Sequence, residues 1–416
     1  MIGRIDPRAK ARGYAPRNAG SLVNEANKLM IYLSRTILLT ICLTVLLAVP
    51  FVAQEERPNN LFEIKVDGKT GFIDQTGKIV IEPKLGGVYE FSEGLAAAYV
   101  GKGQFDEGYI DENGAVAIAP KFNIASKFSE GFAWAGIDPN RMPYKLGPLT
   151  LYSTQSTHSF VYNIGFIDKT GKWLTEPVYT FARDFSEGLA VVRTKENKFG
   201  FIDKSGKVKI EAKFDWASSF SNGLAAVFVE GKHGFIDKEG KYVIKPKYSN
   251  AFDFSEGLAC VKIGGRVRKP SFGDQVITTG NKDLNYAYID VTGKVVFRIN
   301  AFGCAPFSEG VARVELGGKW RFINKTGEVT FSTDIDALGD FSEGLAVVLL
   351  PGDKESFGFI DHEGKVVIRT NYSVVDDFNG GLAQVRQDDP QQGNDIVYSR
   401  YGYIDKTGKV IWTPTR

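Results

Sequence analysis

The stretch Gly234-Phe235-Ile236-Asp237-Lys238-Glu239-Gly240-Lys241-Tyr242-Val243-Ile244-Lys245-Pro246-Lys247-Tyr248 decides the fold. Its two flanks, Phe-Ile and Tyr-Val-Ile, are β-branched and aromatic, the composition of strands. Between them, Asp237-x-x-Gly240 has the chemistry of a type I turn. The carboxylate can accept the turn's own amides, and glycine can take positive φ and form the bulge of a short hairpin loop. Pro246 ends the second strand, since proline has no amide to continue a ladder.

Working outward, the same phrase begins nine times, at Gly71, Gly108, Gly165, Gly200, Gly234, Ala287, Arg321, Gly358 and Gly402. A second phrase, Phe-Ser-Glu-Gly or a close variant, recurs eight times between them, at Phe91, Phe128, Phe185, Phe220, Phe254, Phe307, Phe341 and Phe378. Leu-Ala or a close variant follows it, as in Leu95-Ala96 and Leu189-Ala190. Uninterrupted copies are spaced 34 to 37 residues apart, and longer gaps are insertions. Gly-Leu-Ala-x-Val reads as a third strand whose small alanine allows a neighbour to approach closely. Each unit is thus a three-strand meander that cannot bury both faces alone, whereas stacked units can. The array opens at Leu61-Phe62-Glu63-Ile64 and closes at Trp412-Thr413-Pro414, giving an all-β domain over 61–414. A β-propeller typically has about four to eight four-stranded blades. Nine units of three strands predict an open, curved β-array instead, with an irregular propeller as the alternative.

Written as Gly-Leu-Ala-x-Val, Gly-Phe-Ile-Asp-x-x-Gly-Lys, Pro-x-Phe and Phe-Ser-Glu-Gly, the unit resembles the bacterial WG-containing repeat. The resemblance covers nearly everything after the leader. Trp320 holds the tryptophan position but precedes Arg321, while other copies read Phe199-Gly200, His233-Gly234, Phe357-Gly358 and Tyr401-Gly402. What the resemblance implies is a β-rich repeat protein; it brings no catalytic residues.

Ahead of the array, residues 1–35 are a basic leader in which Met30 offers an alternative start. Residues 36–53 hold the uncharged run Thr36–Val52, predicted to form an apolar helix that is a signal-peptide core or a membrane anchor. The chain is expected to be exported: periplasmic, at the cell surface or secreted. It would touch a membrane only through this segment, if uncleaved. Of the three cysteines, Cys42 lies in that run. Cys304 stands where other copies place Ala125 or Ala182, and Cys260 where another has Ala226. Both read as small core fillers, with a Cys260–Cys304 disulfide open in an oxidising compartment.

Fifty-one basic and 49 acidic side chains leave a net charge of +2, which gives no electrostatic footprint for nucleic acid. The recurring aspartates (Asp74, Asp111, Asp168, Asp203, Asp237, Asp290, Asp361, Asp405) read as turn formers. The glutamates of the second phrase (Glu93, Glu130, Glu187, Glu256, Glu309, Glu343) read as solvated turn residues. His158, His233 and His362 have no metal-ligand spacing, and no phosphate-binding, nucleophile or dinucleotide motif appears. No cofactor, metal or catalytic residue is therefore expected.

The copies differ chiefly at insertions, 138–162, 264–284 and 387–399. In repeat arrays such loops often lie on the binding face. Tyr144, Tyr152, His158 and Tyr162 in the first, and Arg266, Arg268 and Lys269 in the second, are the candidate partner contacts. The expected role is a non-enzymatic surface for an unidentified protein or cell-envelope component. A carbohydrate-binding module is the alternative and a hydrolase a remote one.

Overall fold

The computed structural model describes residues 60–101, 106–138, 143–146, 149–152, 162–264, 285–331, 336–351, 356–388 and 399–415. The leader, the predicted apolar helix and Met30 lie outside them. The chain divides into two units, 1–59 and 60–416; the second is described here.

Every regular element among the described residues is a strand. Nine antiparallel sheets form, one for each Phe-Ile-Asp copy, and one further hairpin, Pro143–Leu146 with Leu149–Tyr152, lies in the first insertion. The fourth sheet shows the complete unit. Phe181–Ala182, Leu189–Arg193, Phe199–Asp203 and Val208–Phe214 pair in chain order. The two middle strands are buried almost throughout, while the last exposes alternate residues to solvent. The expected three-strand meander thus gains a short strand ending on the recurrent alanine. At two residues it is too short to show any alternation in the sequence. The first sheet, Phe62–Val66 (β1), Lys69–Ile73 and Ile79–Leu85, lacks it. The seventh is reduced to Val311–Leu316 and Lys319–Asn324, flanked by single bridges at Cys304 and Val329.

The glycine that opens each Phe-Ile-Asp strand is a packing requirement. In the fourth sheet Phe199 faces Phe214 but Phe201 faces Ile210, so the last strand bulges over Gly200. A Cβ on Gly200 would lie 2.6 Å from the Ile210 carbonyl oxygen. The shift is absent at that position in three copies: Ala287 faces Arg298 and Gly358 faces Arg369 in register, and Arg321 has no ladder on that side among the described residues. Between sheets, a residue of the last strand or its continuation packs under the next turn's glycine, and in five junctions it is a buried isoleucine: Ile81, Ile118, Ile210, Ile244 or Ile368. A Cβ on Gly240 would meet the Ile210 side chain at 2.9 Å. The Phe-Ser-Glu-Gly phenylalanines Phe128, Phe220 and Phe254 are fully buried between neighbours.

The same contacts recur between the last sheet and the first, which overturns the open array. Phe62, Ile64 and Ile73 share one core with Leu382 and Tyr403. The Tyr403 hydroxyl donates to the Glu63 carbonyl at 2.8 Å, and the Thr415 hydroxyl to the Lys65 carbonyl at 2.6 Å. Gly77 sits on the Ile411 carbonyl as Gly206 sits on that of Leu174, and the Gln75 amide donates to the Gly380 carbonyl at 2.6 Å. The arrangement is a β-propeller, irregular in its first, second and seventh sheets. Closure depends on the angle between neighbouring sheets, which no residue spacing reports.

Candidate functional site

Strand direction sorts the connections onto two ends. Leu189 pairs with Asp203, so the Phe-Ser-Glu-Gly turn and the Asp-x-x-Gly turn share one end, the turn end. The link from each Leu-Ala strand to its Phe-Ile-Asp strand lies at the other.

The turn end is saturated by internal contacts. The Asp168 carboxylate accepts the Thr170 hydroxyl at 2.6 Å, the Thr170 amide at 2.9 Å and the Lys172 amide at 3.0 Å. The Thr170 hydroxyl bond, with these amides, holds the carboxyl below its usual range. This bears out the turn reading of the aspartates. The glutamates, expected to be merely solvated, bridge neighbouring units instead. Glu130 accepts the Gly188 amide of the next turn at 2.9 Å and pairs with Lys204 at 2.9 Å. The partial burial that would raise its pKa is outweighed by those contacts, and its carboxyl is held low. Ser129 donates to the Phe185 carbonyl at 2.8 Å, and Ser186 to Phe220 at 2.7 Å, carrying the link onward. Exceptions are matched. Asn222 replaces a glutamate where Val291 stands in the lysine position, and Gly380 replaces one where Gln75 does. His362 takes a lysine's place, 2.9 Å from Glu309 and stacked on Phe341 at 4.0 Å.

The opposite end is where copies differ. The first insertion joins Phe132–Ile137 to Asn163–Asp168, the second Leu258–Lys262 to Tyr286–Asp290, the third Leu382–Asp388 to Ser399–Asp405. Each replaces the same link, so all three leave from one end. Tyr144 and Tyr152 lie on the hairpin of the first, opposite Leu151 and Pro143. Tyr162 packs instead against the core around Ile164 and Phe185, and anchors the insertion. His158, Arg266, Arg268 and Lys269 lie outside the described residues.

A cluster at this end escaped the sequence reading. Glu107, only 1% exposed, occupies the tryptophan slot of the second sheet. The Tyr89 hydroxyl donates to it at 3.3 Å and lies 3.1 Å from that of Tyr99. Burial pushes the Glu107 carboxyl up and keeps the Tyr89 hydroxyl protonated. An acid in an aromatic slot was the available signal. In the fifth sheet the same slot holds His233, wedged between Trp216 and Phe228 with neither ring nitrogen bonded. Desolvation lowers its pKa to about 4. Among the described residues, no group of three His, Cys, Asp or Glu side chains could hold a metal. Cys260 and Cys304 are more than core fillers: they are bonded, with Cα atoms 6.5 Å apart, and tie the sixth sheet to the seventh.

A family model described as "WG containing repeat" matches eight segments, 71–102, 108–138, 164–199, 199–232, 234–266, 286–320, 320–354 and 357–389. No curated protein sequence matches the chain. Among solved structures, BamB from Moraxella catarrhalis is 11% identical, covering 78% of this chain and 93% of that one at a TM-score of 0.38. The WD40 β-propeller domain of Doa1 is 12% identical, covering 62% and 86% at a TM-score of 0.29.

Proposed function

The chain belongs to the family of WG-containing repeats, and from that premise we propose that it is a non-enzymatic, extracytoplasmic scaffold. It captures a protein or envelope component on the insertion-bearing end of its propeller. One observation carries the reading: three insertions of unrelated sequence all leave from the same end. The other end is locked by carboxylate–amide and carboxylate–lysine contacts that leave its repeated polar groups occupied by the protein itself. Selection for a partner acts where the scaffold does not fix the residue, and loops displayed on a rigid sheet are the usual place. Export is supported by the apolar run Thr36–Val52 and by a disulfide, which persists in oxidising compartments.

The test replaces Tyr144, Tyr152, Arg266 and Arg268 together with alanine, followed by crosslinking in cells and mass spectrometry of captured envelope proteins. Loss of a partner captured by the unsubstituted protein is expected, with Thr170→Ala at the turn end leaving it in place. Undiminished capture by the fourfold variant would sink the reading. A glycan is the second candidate ligand, because Tyr89 and Tyr99 expose 45% and 37% of their surface on the second sheet. A glycan array separates the two: binding there that is lost on Tyr89→Ala, without protein capture, would favour the sugar.

A further inference from the structure

The last strands of consecutive sheets stand side by side on the rim of the propeller. Ile210 of the fourth sheet packs under Gly240 of the fifth, and Ile244 of the fifth under Gly293 of the sixth. This sector of the rim is basic. Val208–Phe214 carries Lys209 and Lys213 beside one acid, Glu211. Tyr242–Tyr248 carries Lys245 and Lys247, and Val295–Ile299 carries Arg298. A further lysine, Lys207, Lys241 or Lys294, leads into each strand, and all eight basic residues are exposed. Among them, Val208, Tyr242, Val243 and Val296 expose 41% to 53% of their surface.

Lysine on an outer strand can serve simply to blunt edge pairing. Two observations go beyond that. The outer strands of the third and ninth sheets, Trp173–Tyr179 and Val410–Thr415, carry no basic residue at all. The fifth has Pro246, which blunts an edge by itself, and two lysines as well. Exposed valines recur elsewhere on the rim, at Val116 and Val410, and so belong to the repeat. The concentration of charge does not. It is drawn from three copies that meet only on the folded rim, so no basic run announces it in the sequence.

We propose that the rim of sheets four to six docks on a membrane surface rich in anionic phospholipid. Lysine stems lie along apolar surface and deliver their ammonium groups to the lipid phosphates, where basic residues gathered on one surface act together. Tyr242 and the valines settle between the headgroups, the depth at which tyrosine is favoured. Seven of the eight basic residues are lysine. Protein–protein interfaces are enriched in arginine and depleted in lysine, so this composition selects lipid over an acidic protein. A layer of phosphates asks for point charges, which lysine supplies, and not for the planar fork of arginine. The rim is neither end of the propeller, so docking there leaves the insertion-bearing end free.

Flotation of the full chain with vesicles of phosphatidylglycerol and phosphatidylcholine in equal parts tests this. Replacing Lys209, Lys213, Lys245 and Lys247 together with glutamine should weaken binding at least roughly tenfold. Replacing Lys78, Lys84, Lys365 and Lys409 instead removes the same charge from the first, eighth and ninth sheets, and should leave binding unchanged. Tyr242→Ser with Val243→Ser should weaken it severalfold at constant charge. Pure phosphatidylcholine vesicles measure any binding through the N-terminal apolar run, which all these chains share, and should not distinguish them. Equal binding by the two lysine variants overturns the proposal. So does charge-dependent binding that Tyr242→Ser with Val243→Ser leaves untouched and that immobilised polyglutamate reproduces, which would assign the surface to an acidic protein.

Discussion

At the residue scale, one slot shows how the scaffold absorbs variation. The position before the recurrent glycine holds Phe199, His233, Glu107, Trp320 and Tyr401 in different sheets. Where the occupant is titratable, its burial makes stability depend on pH. Unfolded His233 titrates near 6.5, whereas folded His233 titrates at about 4. Between those values the unfolded chain binds the extra proton, so the stability present above about pH 6.5 is lost as pH falls toward 4. The full shift corresponds to about 3 kcal/mol. The raised carboxyls of Glu107 and Asp253 act in the opposite sense, favouring the fold as they protonate. His233→Phe isolates the histidine. Its stability relative to the unsubstituted protein should rise by roughly 2–3 kcal/mol between pH 7 and pH 4.5, measured by urea unfolding. An unchanged difference would mean that the ring is solvated. The aspartate turns were legible from sequence because each bond of Asp168 is made within four residues. The glutamate contacts were not, because Glu130 meets Gly188 and Lys204 across a sheet boundary.

At the element scale, the glycine that opens a Phe-Ile-Asp strand is required where the last strand bulges over it, as at Gly200. Gly200→Ala places a methyl group against the backbone of Ile210 and should cost about 2 kcal/mol or more. Ala287→Gly, where no bulge passes, should cost only about 0.5–1 kcal/mol, the backbone-entropy penalty of glycine in a strand. Denaturant midpoints compare the two, and similar costs would refute the bulge argument. The disulfide is the other device at this scale. Cys260 and Cys304 are separated by 44 residues, and closing a loop of that length stabilises by about 4 kcal/mol in the chain-entropy account. Reduction, or Cys260→Ala with Cys304→Ala, should lower the melting temperature, whereas reduction of the double variant should do nothing further. The hairpins could be read directly from turn chemistry. The short strands could not, because two residues carry no alternation and acquire a partner only when Leu189–Arg193 is already in place.

At the scale of the whole molecule, the junction between the last sheet and the first repeats the chemistry of the interior ones. Tyr403 reaches across it as Tyr288 reaches from the sixth sheet to the seventh. Burial pushes the Tyr403 hydroxyl up to about 12, so it remains a donor at any physiological pH. Tyr403→Phe and Tyr288→Phe should each cost about 1 kcal/mol of unfolding free energy. A silent Tyr403→Phe beside a costly Tyr288→Phe would mean that the ring is open. The sequence by itself determined the unit, its nine copies and its turns, because those are set by bonds between residues close along the chain. It also located the insertions. Tertiary structure alone decided that the array closes, that the repeated glutamates fasten neighbouring sheets, and that three separate insertions share one end. Each of those depends on the angle and register between sheets, which arise from packing summed over many weak contacts and leave no local pattern.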